Sequence, residues 1–142
     1  MSTNAGSDAD RPRVVVGVDG SDASTRALEW AAIQAERTAA LLEIHTVYVP
    51  GLLFIPPDEV NELTTELLDE AAERARSVAP GVATLGKAHD DVAPATALIE
   101  ASNGATLLVV GSRGHGGFLG LTLGSVSQKC SRHAQAPVVI VR

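Results

Sequence analysis

Short apolar runs alternate along the chain with longer amphipathic stretches. Five runs rich in Val, Leu and Ile have the length of strands, at 13–19, 41–49, 82–88, 106–110 and 137–141. Apolar residues recur at helical spacing between them, over 22–40, 58–79, 94–102 and 125–133. Unbroken apolar runs are typical of strands buried on both faces. The pattern therefore predicts a protein of the α/β class.

Strict alternation of strands and helices predicts a parallel sheet with helices on both faces and right-handed crossovers. In such sheets, ligands bind beyond the carboxyl ends of the strands, where the strand order reverses. Asp19 ends the first predicted strand and Gly111 follows the fourth. A strand order of 3-2-1-4-5 would bring these two ends to one crevice.

A glycine-rich segment follows the fourth strand, with the spacing Gly-x2-Gly-x9-Gly-Ser from Gly111 to Ser125. Glycines let the backbone approach a ligand closely. The N–H groups at the start of the next helix would point at an anion, with the positive end of the helix dipole behind them. The segment predicts a phosphate-binding loop, and a flexible linker is the alternative.

The polar groups of this loop lie at the predicted start of the last helix. Ser125 and Ser127 would donate hydroxyl groups and Val126 a backbone N–H. Ser125 could equally serve as the N-cap of that helix. Arg113 and His115 lie within the loop, where either could contact a phosphate or remain solvated.

Composition limits the possible functions. The 142 residues fit one domain, and an aromatic content of 3% implies an aliphatic core. A net charge of −6 argues against general nucleic-acid binding, which needs a basic face. Because Cys130 is the only cysteine, no intrachain disulfide and no zinc–cysteine cluster can form.

The chain carries no recognisable targeting segment. Residues 1–12 are polar, without the apolar stretch of a signal peptide, and are expected to form a disordered tail before a domain at 13–142. Apolar runs fall short of the roughly 18 residues that a membrane helix needs. We expect a cytoplasmic protein without a membrane or nucleic-acid partner.

Four segments resemble the ATP-binding branch of the universal stress protein family. They are VVVGVDGSDAS near the start, ALEWA in the first helix, IHTVYV in the second strand, and the terminus GSRGHGGFLGLTLGSVSQKCSRHAQAPVVIVR. The resemblance implies a single doubly wound sheet of five strands in the order 3-2-1-4-5. It also implies a homodimer that binds ATP, with Mg²⁺ as a further candidate ion, and acts as a stress sensor or regulator.

The resemblance also implies a set of binding residues. Those on the nucleoside side would be Gly17, Val18 and Asp19, with Asp19 bonding the ribose hydroxyls, and Val47 against adenine. Val110 and Gly111 would flank the ribose and the α-phosphate. The phosphates would be held by Gly114, Gly124, Ser125, Val126 and Ser127, and Arg113 lies beside them.

Asp19 has an interpretation from its own position. A carboxylate beside a phosphate site would repel phosphate, so it should serve sugar hydroxyls or Mg²⁺. The alternative is an ordinary turn aspartate before Gly20.

Two competing motifs fail. Residues 81–88 nearly spell a P-loop, but Ala88 replaces the required Ser or Thr. The C-terminal loop contains no Gly-x-Gly-x-x-Gly dinucleotide motif. The histidines are scattered without metal-ligand spacing, so we predict no metal site. His45 is expected to pack within a strand, and residues 89–91 are expected to form a turn.

The terminal run 137–141 would be an edge strand in the implied order. A bare apolar edge invites pairing, so we expect a two-fold dimer through this strand. An edge covered by the chain's own helices is the alternative.

Three functional alternatives to ATP binding remain. One is a nucleotide hydrolase that uses His115 or Asp19, although no catalytic base is obvious. The second is an interaction module without nucleotide. The third prefers AMP or cyclic AMP.

Overall fold

The computed structural model describes residues 10–48, 56–90, 92–113 and 124–142. Nine residues of the predicted tail, together with Gly114 and His115, lie outside these ranges. Strands and helices alternate along the described chain. Their bounds are β1 Arg13–Gly17, α1 Asp22–Arg37, β2 Leu41–Tyr48, α2 Pro57–Val78, β3 Ala83–Asp90, α3 Pro94–Ala101, β4 Leu107–Gly111, α4 Ser125–His133 and β5 Val138–Val141.

The strands form one parallel sheet in the order β3-β2-β1-β4-β5. This confirms the predicted fold class and strand order. Central β1 pairs with β2 from Arg13 opposite Leu41, and with β4 from Val14 opposite Leu107. The order reverses between β1 and β4, which is where such a sheet forms a ligand crevice.

Two aliphatic layers cover the sheet. One layer joins alternate β1 residues such as Val14 and Val16 to the alanine-rich faces of α1 and α2. The other joins Val15 to α3 and α4 through Leu98 and Cys130. Successive strand residues point to opposite faces, so continuous apolar runs feed both layers.

Small side chains let α1 lie close to the sheet. Ala27, Ala31 and Ala35 recur at four-residue spacing and are fully buried, which places them on one helical face. The helix ends with Ala39 in the left-handed region, at φ 55°. The Ala40 N–H then donates to Ala35 O at 2.8 Å, which satisfies a carbonyl in the last turn.

One local prediction was wrong. Residues 89–91 were expected to turn the chain, yet β3 continues through His89 and Asp90, which pair with Val47 and Tyr48, and Asp91 lies outside the described residues. The ladder with β2 holds these polar residues in extended conformation. As an edge strand, β3 contains few apolar residues, so the polar composition of residues 89–91 resembled that of a turn.

Candidate functional site at the β1–β4 divergence

The ends of β1 and β4 separate at the carboxyl edge of the sheet. Their last paired residues are Val16 and Val109. Beyond that pair, the Val18 N–H donates to His45 O of β2 at 2.8 Å, whereas the Ser112 N–H donates to Val141 O of β5 at 2.9 Å. The end of β1 thus stays bonded to β2 and the end of β4 to β5, and a crevice opens between β1 and β4.

The β1–α1 turn fixes Asp19 at one side of this crevice. The Ser21 N–H donates to Asp19 Oδ1 at 2.9 Å, and the Asp19 N–H donates to Ser24 Oγ at 3.2 Å. Gly20 between them has φ 83°, a left-handed conformation that glycine adopts without steric cost. Ser21 is the N-cap of α1 and accepts from the Ser24 N–H at 3.2 Å. The carboxylate is therefore anchored by the turn.

The opposite side is formed by the end of β4. A Cβ on Gly111 would lie 2.9 Å from both the carbonyl carbon and the oxygen of Ala23. No side chain fits there, so this glycine lets the β4 loop approach the start of α1. Gly17 is also confined, because a Cβ would meet Leu98 Cδ1 at 2.7 Å.

The start of α4 is tied to the end of β4 through Ser112. The Gly124 N–H donates to Ser112 O at 2.7 Å. The Ser127 hydroxyl lies 2.9 Å from Gly124 O and 3.3 Å from Ser112 O. This tether places the N-terminus of α4 beside the crevice.

The first amides of α4 belong to Ser125, Val126 and Ser127. The Gln128 N–H makes the first bond to the cap, with Gly124 O at 3.0 Å, so the three preceding amides lie in the turn that lacks carbonyl partners within the helix. The first turn carries no acidic residue, whereas Arg132 and His133 lie in the last. The dipole therefore favours an anion at this end.

The side chains of this turn differ in accessibility. Ser125 is exposed, whereas Ser127 is only 1% exposed. Ser127 was predicted to donate its hydroxyl to a phosphate, but in this structure that hydroxyl reaches backbone carbonyls. Its contribution to an anion would come from its backbone N–H.

The remaining candidates are spread around the crevice. Val18 and Val110 are buried at the two strand ends, and Arg113 is exposed after β4. Val47 is half-buried on β2, opposite His89 of β3. Predicted Gly114 lies outside the described residues.

A polar network on β1, β2 and β3 was not foreseen from the sequence. Arg13 Nη1 donates to Glu43 Oε1 at 3.0 Å, and His45 Nε2 lies 3.0 Å from the same oxygen. His45 Nδ1 lies 2.8 Å from His89 Nε2, and the planes of the two rings are 11° from parallel. Glu43 is 4% exposed and His45 is 2% exposed. The alternation Glu43-x-His45-x-Val47 in β2 placed these polar residues on one face, but only the fold brings His89 to them.

Burial and hydrogen bonding determine the charges of this network. Burial alone would raise the pKa of Glu43, but hydrogen bonds from His45 and Arg13 outweigh that effect and hold the pKa below its ordinary 4.5. Burial lowers the pKa of His45 below 6.5, although the Glu43 carboxylate opposes this shift. Near neutral pH, Glu43 is therefore ionised and His45 is neutral.

A groove of about 340 Å³ runs between α1 and α2 from the β1–α1 turn. Val18 and Gly20 form its end at the crevice, and Glu70 and Arg74 lie on its α2 wall. The groove therefore meets the crevice at the β1–α1 turn.

The described parts of the chain contain no group of three or more His, Cys, Asp or Glu placed to hold a metal ion. In the same parts, no helix is both long and apolar enough to cross a membrane. Burial raises the pKa of the Cys130 thiol to about 11, so it remains protonated in the core.

Comparison with known proteins identifies a family for this chain. The model of the universal stress protein family matches residues 11–142. The universal stress protein Rv2623 of Mycobacterium tuberculosis is 36% identical, over 90% of this chain and 46% of that protein. The universal stress protein YxiE of Bacillus subtilis is 31% identical, over 92% of this chain and 98% of its own. The chain thus spans about half the length of the mycobacterial relative.

Solved structures share the fold. A universal stress protein in complex with cAMP superposes with a TM-score of 0.74 and 34% identity, over 93% of this chain and 97% of that one. A family protein from Arabidopsis thaliana, At3g01520, with AMP bound has a TM-score of 0.64 and 23% identity, over 92% of this chain and 90% of its own.

Proposed function

The chain belongs to the universal stress protein family, and from that premise we propose that it binds ATP and acts as a nucleotide-dependent stress sensor or regulator. The observation that carries the proposal is the start of α4. Its first amides are held beside the β1–β4 crevice by the 2.7 Å bond from Gly124 N–H to Ser112 O. Backbone amides at a helix N-terminus bind phosphate without bulk positive charge, so the net charge of −6 is no obstacle.

The other candidate residues take roles on either side of this anchor. Asp19, fixed by the Ser21 N–H, accepts bonds from the ribose hydroxyls. Gly17, Val18, Val110 and Gly111 form the walls at the strand ends, and Val47 contacts the adenine. The phosphates lie against Gly114 and the 124–127 turn, with Arg113 nearby. Any Mg²⁺ would be held mainly by phosphate oxygens and water, as is usual for this ion with nucleotides.

The proposed role is binding rather than rapid catalysis. Phosphoryl transfer needs a residue that orients the nucleophile and cations that stabilise the developing charge. The α4 turn offers backbone dipoles and the exposed Ser125 hydroxyl, and Arg113 is an exposed side chain. We expect ATP hydrolysis to be slower than about 1 s⁻¹. The proposed location of the protein is the cytoplasm.

The functional unit is a homodimer paired through β5. This strand is at the edge of the sheet, and all four of its residues are only partly buried. Antiparallel pairing with a second copy would cover the apolar edge and give two-fold symmetry.

Substitution of Ser125 by proline tests the amide anchor directly. Ser125 is the first residue of α4, where proline is well tolerated, and Gly124 before it has φ −67° and ψ 162°, which suit a residue preceding proline. The change removes one anion-binding N–H and keeps the helix. We expect Ser125→Pro to weaken ATP binding tenfold or more, about 1.4 kcal/mol, by isothermal titration calorimetry.

Ser125→Ala is the matched control, because it removes the hydroxyl and keeps the N–H. It should lose less affinity than the proline variant. If folded Ser125→Pro binds ATP as tightly as the wild type, the amide anchor is wrong. If the wild-type chain binds no adenine nucleotide at all, the interaction-module alternative replaces this proposal.

Cyclic AMP is the second candidate ligand. It is favoured by the cAMP complex of the protein that shares 34% identity with this chain. Parallel titrations with ATP, AMP and cyclic AMP distinguish the three, and mass spectrometry of nucleotide released from protein purified from cells identifies the one that is retained.

A further inference from the structure

The hydrogen-bond chain on β2 and β3 determines which ring nitrogen of His89 carries a proton. The Glu43 carboxylate can only accept, so His45 Nε2, 3.0 Å away, carries the hydrogen. A neutral imidazole has one N–H, which leaves a lone pair at His45 Nδ1. His89 Nε2 lies 2.8 Å from that atom and must therefore donate to it.

The same chain leaves His89 Nδ1 as a hydrogen-bond acceptor. With its proton on Nε2, a neutral His89 ring has its lone pair on Nδ1. His89 is half-buried, so this nitrogen lies on a ring that a ligand can approach. The orientation of the His89 ring is fixed by its hydrogen bond to buried His45. His45 is bonded in turn to buried Glu43, which accepts from Arg13.

The position along the strands places His89 level with Val47. The β2 partner of His89 is Val47, whereas His45 is opposite Lys87, two residues farther from the carboxyl edge. The Nε2–His45 bond is thus directed back into the sheet. The other ring nitrogen lies on the far side of the ring from His45, on a residue that is level with Val47 in the β2–β3 ladder.

We infer that His89 is a specificity-determining residue that accepts a hydrogen bond from the exocyclic 6-amino group of the bound purine. The inference rests on the proposed function, in which Val47 contacts the base. Adenine presents an amino donor at position 6, whereas guanine and hypoxanthine present a carbonyl acceptor there. Two acceptors facing each other repel, so the fixed Nδ1 lone pair selects adenine and rejects 6-oxopurines.

The test compares three triphosphates that differ at position 6 of the base, of which inosine triphosphate also carries a hydrogen on N1. ATP has the amino donor, purine riboside triphosphate has hydrogen, and inosine triphosphate has the carbonyl. For the wild-type chain, calorimetry should give ATP binding at least tenfold tighter than either analogue. In His89→Leu the ratio between ATP and purine riboside triphosphate should fall to about one, because the acceptor is lost.

Two further variants separate recognition from structure. His89→Gln supplies an amide N–H for His45 and a carbonyl acceptor beside it, so it should retain most of the preference for ATP. Lys87→Leu changes an exposed residue two positions earlier on the same strand, and the ATP ratio should stay as in the wild type. Circular dichroism checks that each variant is folded.

The possible failures are distinguishable. A wild-type chain that binds ATP, with the same ligand ratios in folded His89→Leu, overturns the role of His89 and leaves the proposed function standing. Equal weakening of all three ligands in His89→Leu also overturns it, since that result indicates a purely structural role. A wild-type chain that binds none of the three contradicts the proposed function and this inference together.

Discussion

Gly111 and Gly17 lie at the two strand ends of the crevice, yet their surroundings differ. A methyl group on Gly111 would contact the backbone of Ala23 at 2.9 Å, in the first turn of α1. A methyl group on Gly17 would contact the δ-carbons of Leu98 at 2.7 and 3.2 Å. A leucine side chain can change rotamer, whereas a helical backbone moves only with its whole element.

We expect Gly111→Ala to cost about 1–3 kcal/mol of unfolding free energy, since overpacking against backbone forces a shift of α1. Gly17→Ala should cost less than about 1 kcal/mol, because Leu98 can turn aside and alanine reduces the entropy of the unfolded chain. Urea denaturation of both variants measures the difference. Equal costs would show that the close approach of the β4 loop to α1 is not rigid.

Single residues also show why the site was only partly predictable. Asp19, Gly111 and the 124–127 turn follow apolar strands or open a helix, so their placement followed from local pattern and topology. The bonding of the Ser127 hydroxyl to backbone carbonyls could not be predicted in this way, because it depends on the distance to Ser112 O.

At the scale of elements, the fold was predictable where strands are apolar and helices amphipathic. The bounds of α4 were predicted exactly at 125–133, and β1 was two residues shorter than expected. Edge strand β3 was predicted too short, because pairing with β2 rather than composition keeps His89 and Asp90 extended. Long-range contacts of that kind leave no local periodicity.

The directions of the main-chain N–H and C=O groups of edge strand β5 make its proposed pairing testable. The carbonyls of Pro137 and Val141 accept from the Leu108 and Ser112 N–H groups of β4. Main-chain groups alternate in direction along a strand, so those of Val138 and Ile140 face the open edge.

Ile140→Pro should therefore convert the proposed dimer to a monomer. It removes an outward N–H and leaves the bonds to β4, which is the position where edge strands tolerate proline. Light scattering coupled to size exclusion measures the mass, and Ile140→Val, which retains the N–H, is the control. A folded Ile140→Pro chain that remains dimeric would place the interface elsewhere.

At the scale of the whole molecule, one polar network ties three strands and a helix end together. Arg13 on β1 bonds Glu43 on β2 at 3.0 Å and also donates to Asn103 O after α3 at 2.8 Å. Through His45 the network reaches His89 on β3. Breaking a buried pair by removing one partner is costly, since the other charge is left without compensation.

This network should make global stability sensitive to acid. The folded chain holds the pKa of His45 below 6.5, so the unfolded chain binds a proton that the folded chain does not as pH falls through 6.5. Stability is then lost at up to about 1.4 kcal/mol per pH unit for this proton. Glu43 adds a loss of the same sign below 4.5, where its depressed pKa delays protonation in the folded chain.

Urea denaturation at about pH 7.5 and about pH 5.5 measures this dependence, because these values lie on either side of the ordinary histidine pKa of 6.5. A single proton-linked group changes the free energy of unfolding only over the pH range in which it titrates. The wild-type chain should be less stable at the lower pH, and His45→Gln should show a clearly smaller difference between the two conditions. His133→Gln, which alters an exposed histidine at the end of α4, should retain the wild-type difference. An unchanged pH dependence in folded His45→Gln would mean that another group takes up the proton. The buried His45 imidazole would then not be the cause of the pH dependence of stability.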